Sequence, residues 1–267
     1  MSPSIFTSII NSYLPEPHAS LLNGIIFGIN LKTSPAFYDN VKIVGLLHIV
    51  VLSGINITIL AAIITKITSN FSKRISILIT ILTIILFILF VGPQAPVVRA
   101  GIMGILTLVA ILFGRKNTVI YSLLLSFIFI ACFFPKWLTG ISLYLSYGAT
   151  LGIVLFSSNV HKASKNIIDS VFYSITSDFK TSLAAQVFTT PIIFIAFKQL
   201  SIISPISNIL VSFAITPLMI FGFLTAILGK IHYVLGIIPA YICYGLLSYI
   251  IWVINTLADL PYIFFKF

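Results

Sequence analysis

HIVVLSGINIT, residues His48 to Thr58, is the stretch on which the reading of this chain turns. It lies inside an apolar run from Val41 to Ile64, long enough to cross a bilayer. A plain crossing would be apolar throughout. This one carries His48, Ser53, Gly54, Asn56 and Thr58. Lipid offers such groups no hydrogen bond, so each needs a partner from protein or water. Polar side chains at membrane depth face a bundle interior or a wet cavity. The Ser53–Gly54 pair also permits a sharp bend or a short unwound turn. The stretch is expected to be a bent or broken helix lining a polar space. The bland alternative is a packing site, with Gly54 admitting a neighbouring helix and Ser53 bonding back to its own turn.

Composition sets the class around that stretch. Of 267 residues, 59% are hydrophobic and 7% charged. A soluble domain carries about 25% charged residues, and no soluble fold of this size could hide so much apolar surface. The expected fold is all-α and polytopic, with about eight transmembrane helices at roughly 20 residues each, some bent or discontinuous. The net charge of +10 would point to nucleic acid in a soluble protein. Here much of it belongs to loops, because basic residues collect on the cytoplasmic side. With both termini outside, the larger share of Lys and Arg falls in inside loops. Lys32 is the first basic residue. The start therefore lacks the basic region of a signal peptide, and insertion is expected to depend on the internal spans. Cys132 and Cys243 sit in apolar runs and read as small hydrophobes.

Residues 1–40 read as a lead-in. Pro15 and Pro17 bracket Glu16, and His18 to Ile29 is too short to cross, so an interfacial or re-entrant helix is expected there. The GxxxG spacing of Gly24 and Gly28 suits close helix packing. Residues 41–267 form the membrane domain. Spans are expected at Val41–Lys66, Ile75–Val91, Val97–Phe113, Thr118–Phe134, Ile141–Ser157, Thr181–Phe197, Pro205–Leu228 and Val234–Ala258. Between the fifth and sixth, apolar residues recur at helical spacing near 158–180, the pattern of a surface-lying amphipathic helix.

Catalytic patterns are absent from the sequence. The four His form no HxH, HExxH or HxxxH pair, and there is no GxxxxGK[ST] loop and no GxSxG elbow. No enzyme, cofactor or metal is expected. Instead there is a set of polar groups inside spans: His48, Ser53, Gly54, Asn56, Gln94, Arg99, Tyr144, Ser146, Tyr147, Gln186 and Asn208. Such a set suits passage of a polar solute better than bond cleavage. Arg99 stands out as the one Arg within an expected span. It either snorkels to the nearby interface or serves an anion, and guanidinium forks match phosphate oxygens.

Five blocks in order resemble the ComEC family, competence proteins held to pass single-stranded DNA across the bacterial inner membrane. They are PEPHASLLNGIIFG (15–28), GLLHIVVLSGINITIL (45–60), PQAPVVRAGIMG (93–104), ISLYLSYGATLGIVLF (141–156) and SLAAQVFTTPIIFIAFKQLSIISPISNILV (182–211). Two departures stand out. The family's second His after Ser-Gly is Asn56 here, and its Phe-Gln pair is Leu143–Tyr144. Full-length members often add an OB-like domain and a metallo-β-lactamase-like domain, and this chain has neither the length nor the HxHxDH ligands for them. The resemblance implies a multi-pass channel core in the cytoplasmic membrane. It also implies single-stranded DNA as substrate and separate ATP-driven motor and DNA-receptor proteins as partners. An oligomer is compatible with the sequence. Two rivals stay open: a transporter of a smaller anionic solute or lipid, and a non-transporting assembly protein.

Overall fold

The computed structural model describes residues 3–47, 54–116, 118–156, 167–260 and 264–266. The protein is an all-α polytopic membrane protein. Its helices, among the described residues, are α1 (Ser4–Tyr13), α2 (His18–Phe27), α3 (Pro35–Ile43), α4 (Gly54–Ile67), α5 (Lys73–Val91), α6 (Ala95–Leu112), α7 (Val119–Phe133), α8 (Ile141–Phe156), α9 (Ile167–Phe197), α10 (Ser204–Ile231) and α11 (Tyr233–Ala258). Five are long and apolar enough to cross a membrane by length and composition: α5, α6, the Phe179–Ala196 part of α9, α10 and α11. Helices α7 and α8 are apolar but shorter. The described strands are β1 (Gln199–Ser201) and β2 (Phe264–Lys266), paired antiparallel.

Local chemistry sets the helix ends. Ser34 accepts a hydrogen bond from Phe37 N, with Pro35 following, and Ser72 accepts one from Ile75 N. These are N-caps that satisfy donors a helix start leaves over. Helix α5 stops at Gly92, whose φ of +97° only glycine adopts freely, and Pro93 follows.

The largest core joins the two ends of the chain. Ile10, Leu21, Leu22, Ile25 and Ile26 from α1 and α2 pack with Leu218, Met219, Leu247 and Ile254 from α10 and α11. Helix α2 is buried at every residue from Ala19 to Phe27. The stretch expected to be interfacial or re-entrant is therefore wrapped by protein, which removes the wet face an interfacial helix needs. Two smaller cores link α4 with α5 and α6, and α6 with α7 and α8.

The expected first span is discontinuous, and its described break lies earlier than Ser53. Helix α3 ends at Ile43 and the chain turns at Gly45, φ +76°. Leu46 N donates to Val41 O and Gly45 N to Lys42 O, both near 3.0–3.1 Å. This paired pattern closes a helix with a left-handed glycine. The carbonyls left over are taken by serines far along the chain: Ser201 Oγ donates to Ile43 O at 2.7 Å and Ser207 Oγ to Val44 O at 2.8 Å. The amphipathic segment expected near 158–180 is also different. From Ile167 the helix runs unbroken for 31 residues to Phe197, so no boundary separates it from the sixth span.

Candidate functional site

Helix α6 positions Arg99 one turn from its start, and the side chain turns deeper rather than back towards the nearer end. Its Nη1 donates to Thr150 Oγ1 on α8 and lies 3.8 Å from Met103 Sδ, one turn further along α6. The guanidinium carbon sits 5.9 Å from the centre of the Tyr147 ring, within cation–π range. Snorkelling would require the opposite direction. The Nε–H is buried and has no acceptor. Among the described residues no carboxylate pairs with this cation; its partners are a hydroxyl, a thioether and a ring.

Three elements shape that environment. Gly54 begins α4 beside Arg99: a Cβ there would stand 2.9 Å from Nη2 and 3.0 Å from Ala100 Cβ. Any larger side chain would therefore displace the guanidinium. Thr150 donates back to Ser146 O at 3.0 Å, which fixes its oxygen as an acceptor for Arg99. Tyr147 is held through its hydroxyl by Ser126 of α7 at 2.8 Å, and Ser126 is wholly buried. Beside Tyr147 a cavity of about 270 Å³ opens between α7, α8 and α9, lined by Tyr144, Phe127, Gly148 and Ile192 among others. Helix α8 reaches α9 closely because its facing residues are glycines. A Cβ on Gly148 would meet Ile192 Cδ1 at 3.2 Å, and one on Gly152 would collide with Ala184 O.

A second polar group lies between α9 and α10. Asn208 Nδ2 donates to Ser182 Oγ at 3.2 Å, leaving Asn208 Oδ1 buried without a donor. Gln186, one turn beyond Ser182, has its Nε2 buried without an acceptor. Half-satisfied amides of this kind are expensive in a dry interior.

The residues singled out from the sequence thus divide. Gly54, Arg99 and Tyr147 converge, joined by Thr150, which the sequence did not single out; Ser146 lies beneath Thr150, and Tyr144 lines the cavity beside Tyr147. Asn208 pairs with Ser182 between α9 and α10, and Gln186 lies one turn beyond Ser182 on α9. Asn56 joins neither: its Nδ2 donates at 2.6 Å to Ile25 O, a carbonyl in the last turn of α2. That makes it a pin between α4 and α2. Gln94 occupies the N-cap position of α6 without a capping hydrogen bond. His48 and Ser53 lie outside the described residues. Ser126 and Ser182 were not singled out, because a lone serine in an apolar helix ordinarily bonds its own backbone. Only the facing Tyr147 and Asn208 reveal them. No group of three or more His, Cys, Asp or Glu able to hold a metal occurs among the described residues.

Comparison with known proteins adds the following. The model of the family described as Competence protein matches residues 25–267. ComE operon protein 3 of Bacillus subtilis (strain 168) is 25% identical over 209 residues, which is 77% of this chain and 26% of that protein. The chain spans about a quarter of that relative's length. No solved structure matches.

Proposed function

The chain belongs to the Competence protein family, and from that premise we propose that it is the membrane core through which single-stranded DNA enters the cell, a ComEC-type core of the cytoplasmic membrane. The observation that carries this reading is the inward-turned Arg99. A guanidinium held by neutral partners, with a buried N–H left over, keeps its charge uncompensated. A phosphodiester supplies both the missing charge and the missing acceptor. Gly54 lets the start of α4 lie directly against the guanidinium, and Tyr147 offers a ring face beside the cation. The chain acts by conducting rather than by bond cleavage. The pulling force and the capture of DNA come from separate motor and receptor proteins.

The test is uptake of labelled DNA by cells carrying variants at Arg99. Arg99→Ala is expected to lower uptake about tenfold or more, the scale of a lost charge-assisted hydrogen bond, at unchanged abundance in the membrane. Arg99→Lys should keep part of it. Normal uptake in Arg99→Ala overturns the role. A second reading, carriage of a smaller anion, draws support from the same guanidinium, whose fork of donors matches any phosphate-bearing solute. Competition of DNA uptake by small phosphate esters separates the two.

A further inference from the structure

A second cavity, of about 360 Å³, lies between α11 and the end of α1. One wall is a stripe of α11 formed by Tyr233, Ala240, Tyr241 and Tyr244, which helical spacing places on one face. Tyr13 and Pro15 form the other wall. Two flat ring stacks bound it. Tyr13 lies on Tyr233 with centroids 4.7 Å apart and planes at 11°, and His18 lies on Tyr244 at 4.6 Å and 14°. Tyr241 between them is 74% exposed, its face free.

Its depth is unusual. Tyrosines that anchor a helix at the lipid surface sit near the helix ends. Tyr244 lies about 16 Å along α11 at 1.5 Å per residue, close to the middle of a 26-residue helix. The turn packed against it carries Glu16, which is exposed and accepts from Ser20 N at 3.3 Å. His18, two residues on, reaches Ser248 with Nε2 at 3.0 Å and keeps a buried Nδ1 without a partner. An exposed carboxylate calls for water around it rather than lipid, and Glu16 directly follows Pro15 of the groove wall, which gives the groove a wet edge beside its aromatic walls.

We propose that this groove is a base-stacking site, taking the planar ring of a nucleotide within a single strand. It rests on the reading of the chain as a handler of single-stranded DNA. The ring extends the existing stacks onto Tyr241, as sequence-independent single-strand binders do. Glu16 repels phosphate and accepts hydrogen bonds from base N–H donors, the N3–H of thymine or the exocyclic amines of the other bases, so the ring enters and the backbone stays outside. Base and phosphate are therefore handled at two places, this groove and Arg99.

The test uses the full chain in lipid nanodiscs with a thymidine octamer carrying one 5-iododeoxyuridine, photocrosslinked and mapped by peptide. The crosslink is expected in α11 around Tyr241 and Tyr244. It should fall about tenfold or more in Tyr241→Ala/Tyr244→Ala and persist in Tyr241→Phe/Tyr244→Phe. An abasic octamer with the same phosphates should fail to displace it from the unaltered protein. An undiminished crosslink in the alanine variant, or displacement by the abasic strand as readily as by the octamer, overturns the proposal; the second arm does not depend on any variant folding. Normal uptake in Arg99→Ala with the crosslink present removes the conduit reading and leaves the groove. Arg99-dependent uptake with no crosslink removes the groove alone.

Discussion

The unit made by α1 to α3 with α10 and α11, and the unit made by α6 to α9, are built on opposite terms. In the first, 44% of the apolar window of α10 and 39% of that of α11 is buried within the protein, against 6% for α9. The first unit ties its helix ends with side chains, serines at the end of α3 and Asn56 at the end of α2, while His18 Nδ1, Asn23 Oδ1 and Asn208 Oδ1 stay buried without partners. The second leaves over Nε of Arg99 and Nε2 of Gln186, and of all five atoms only the one on Arg99 belongs to a permanent charge. Burial belongs to the scaffold, and the uncompensated charge lies in the other unit.

The largest expected break in this contrast comes from the scaffold. Leu218 is fully buried, so Leu218→Ala should cost about 2–5 kcal/mol, read by unfolding in mixed micelles. Val187→Ala on α9, at a residue 53% exposed, should scarcely register. Equal effects would erase the distinction. Next comes Gly152→Ala, which drives a methyl group into the carbonyl of Ala184. It is expected to cost about 1–3 kcal/mol, seen as a lower thermal midpoint. Gly245→Ala, with nothing nearby, should hold or raise that midpoint. Ser207→Ala removes one bond to the end of α3 and should cost about 1 kcal/mol by the same measurement. The smallest change in stability is the sharpest. Arg99→Met should leave unfolding unchanged or make it harder, because it removes an unpaired buried charge, while DNA uptake falls. Loss of stability in that variant would mean the arginine is structural.

Much of this was legible in the sequence, for a physical reason. Of the eight expected spans, five coincide with helices long and apolar enough to cross a membrane, and the ends of α5, α6, α10 and α11 fall within three residues of the expected bounds. Arg99 was legible because a charge inside an apolar run has few excuses. The fate of α2 was not: a short, mostly apolar helix fits a lipid surface or a protein core, and only α10 and α11, near the far end of the chain, decide it. Asn56 shows the same limit. An amide in a span signals a need for a partner without saying whether solute or backbone meets it, and here Ile25 O does. The continuity of α9 was hidden because polar residues marked a boundary that the backbone ignores. Asn208 could be picked as polar but its partner could not, since spacing along the chain says nothing of which helix a residue faces; here it faces Ser182.

The serine fastening of α3 has a consequence for biosynthesis. Ser201 and Ser207 reach back across 158 and 163 residues to hold the carbonyls of Ile43 and Val44, directly before the polar stretch at His48. A chain threaded into the bilayer from its first residue therefore makes that stretch early and secures its near end only when the start of α10 arrives. Until then the polar segment waits among lipids with its near end untied, so a pause or truncation anywhere before Ser201 should yield a protein that inserts and is then degraded.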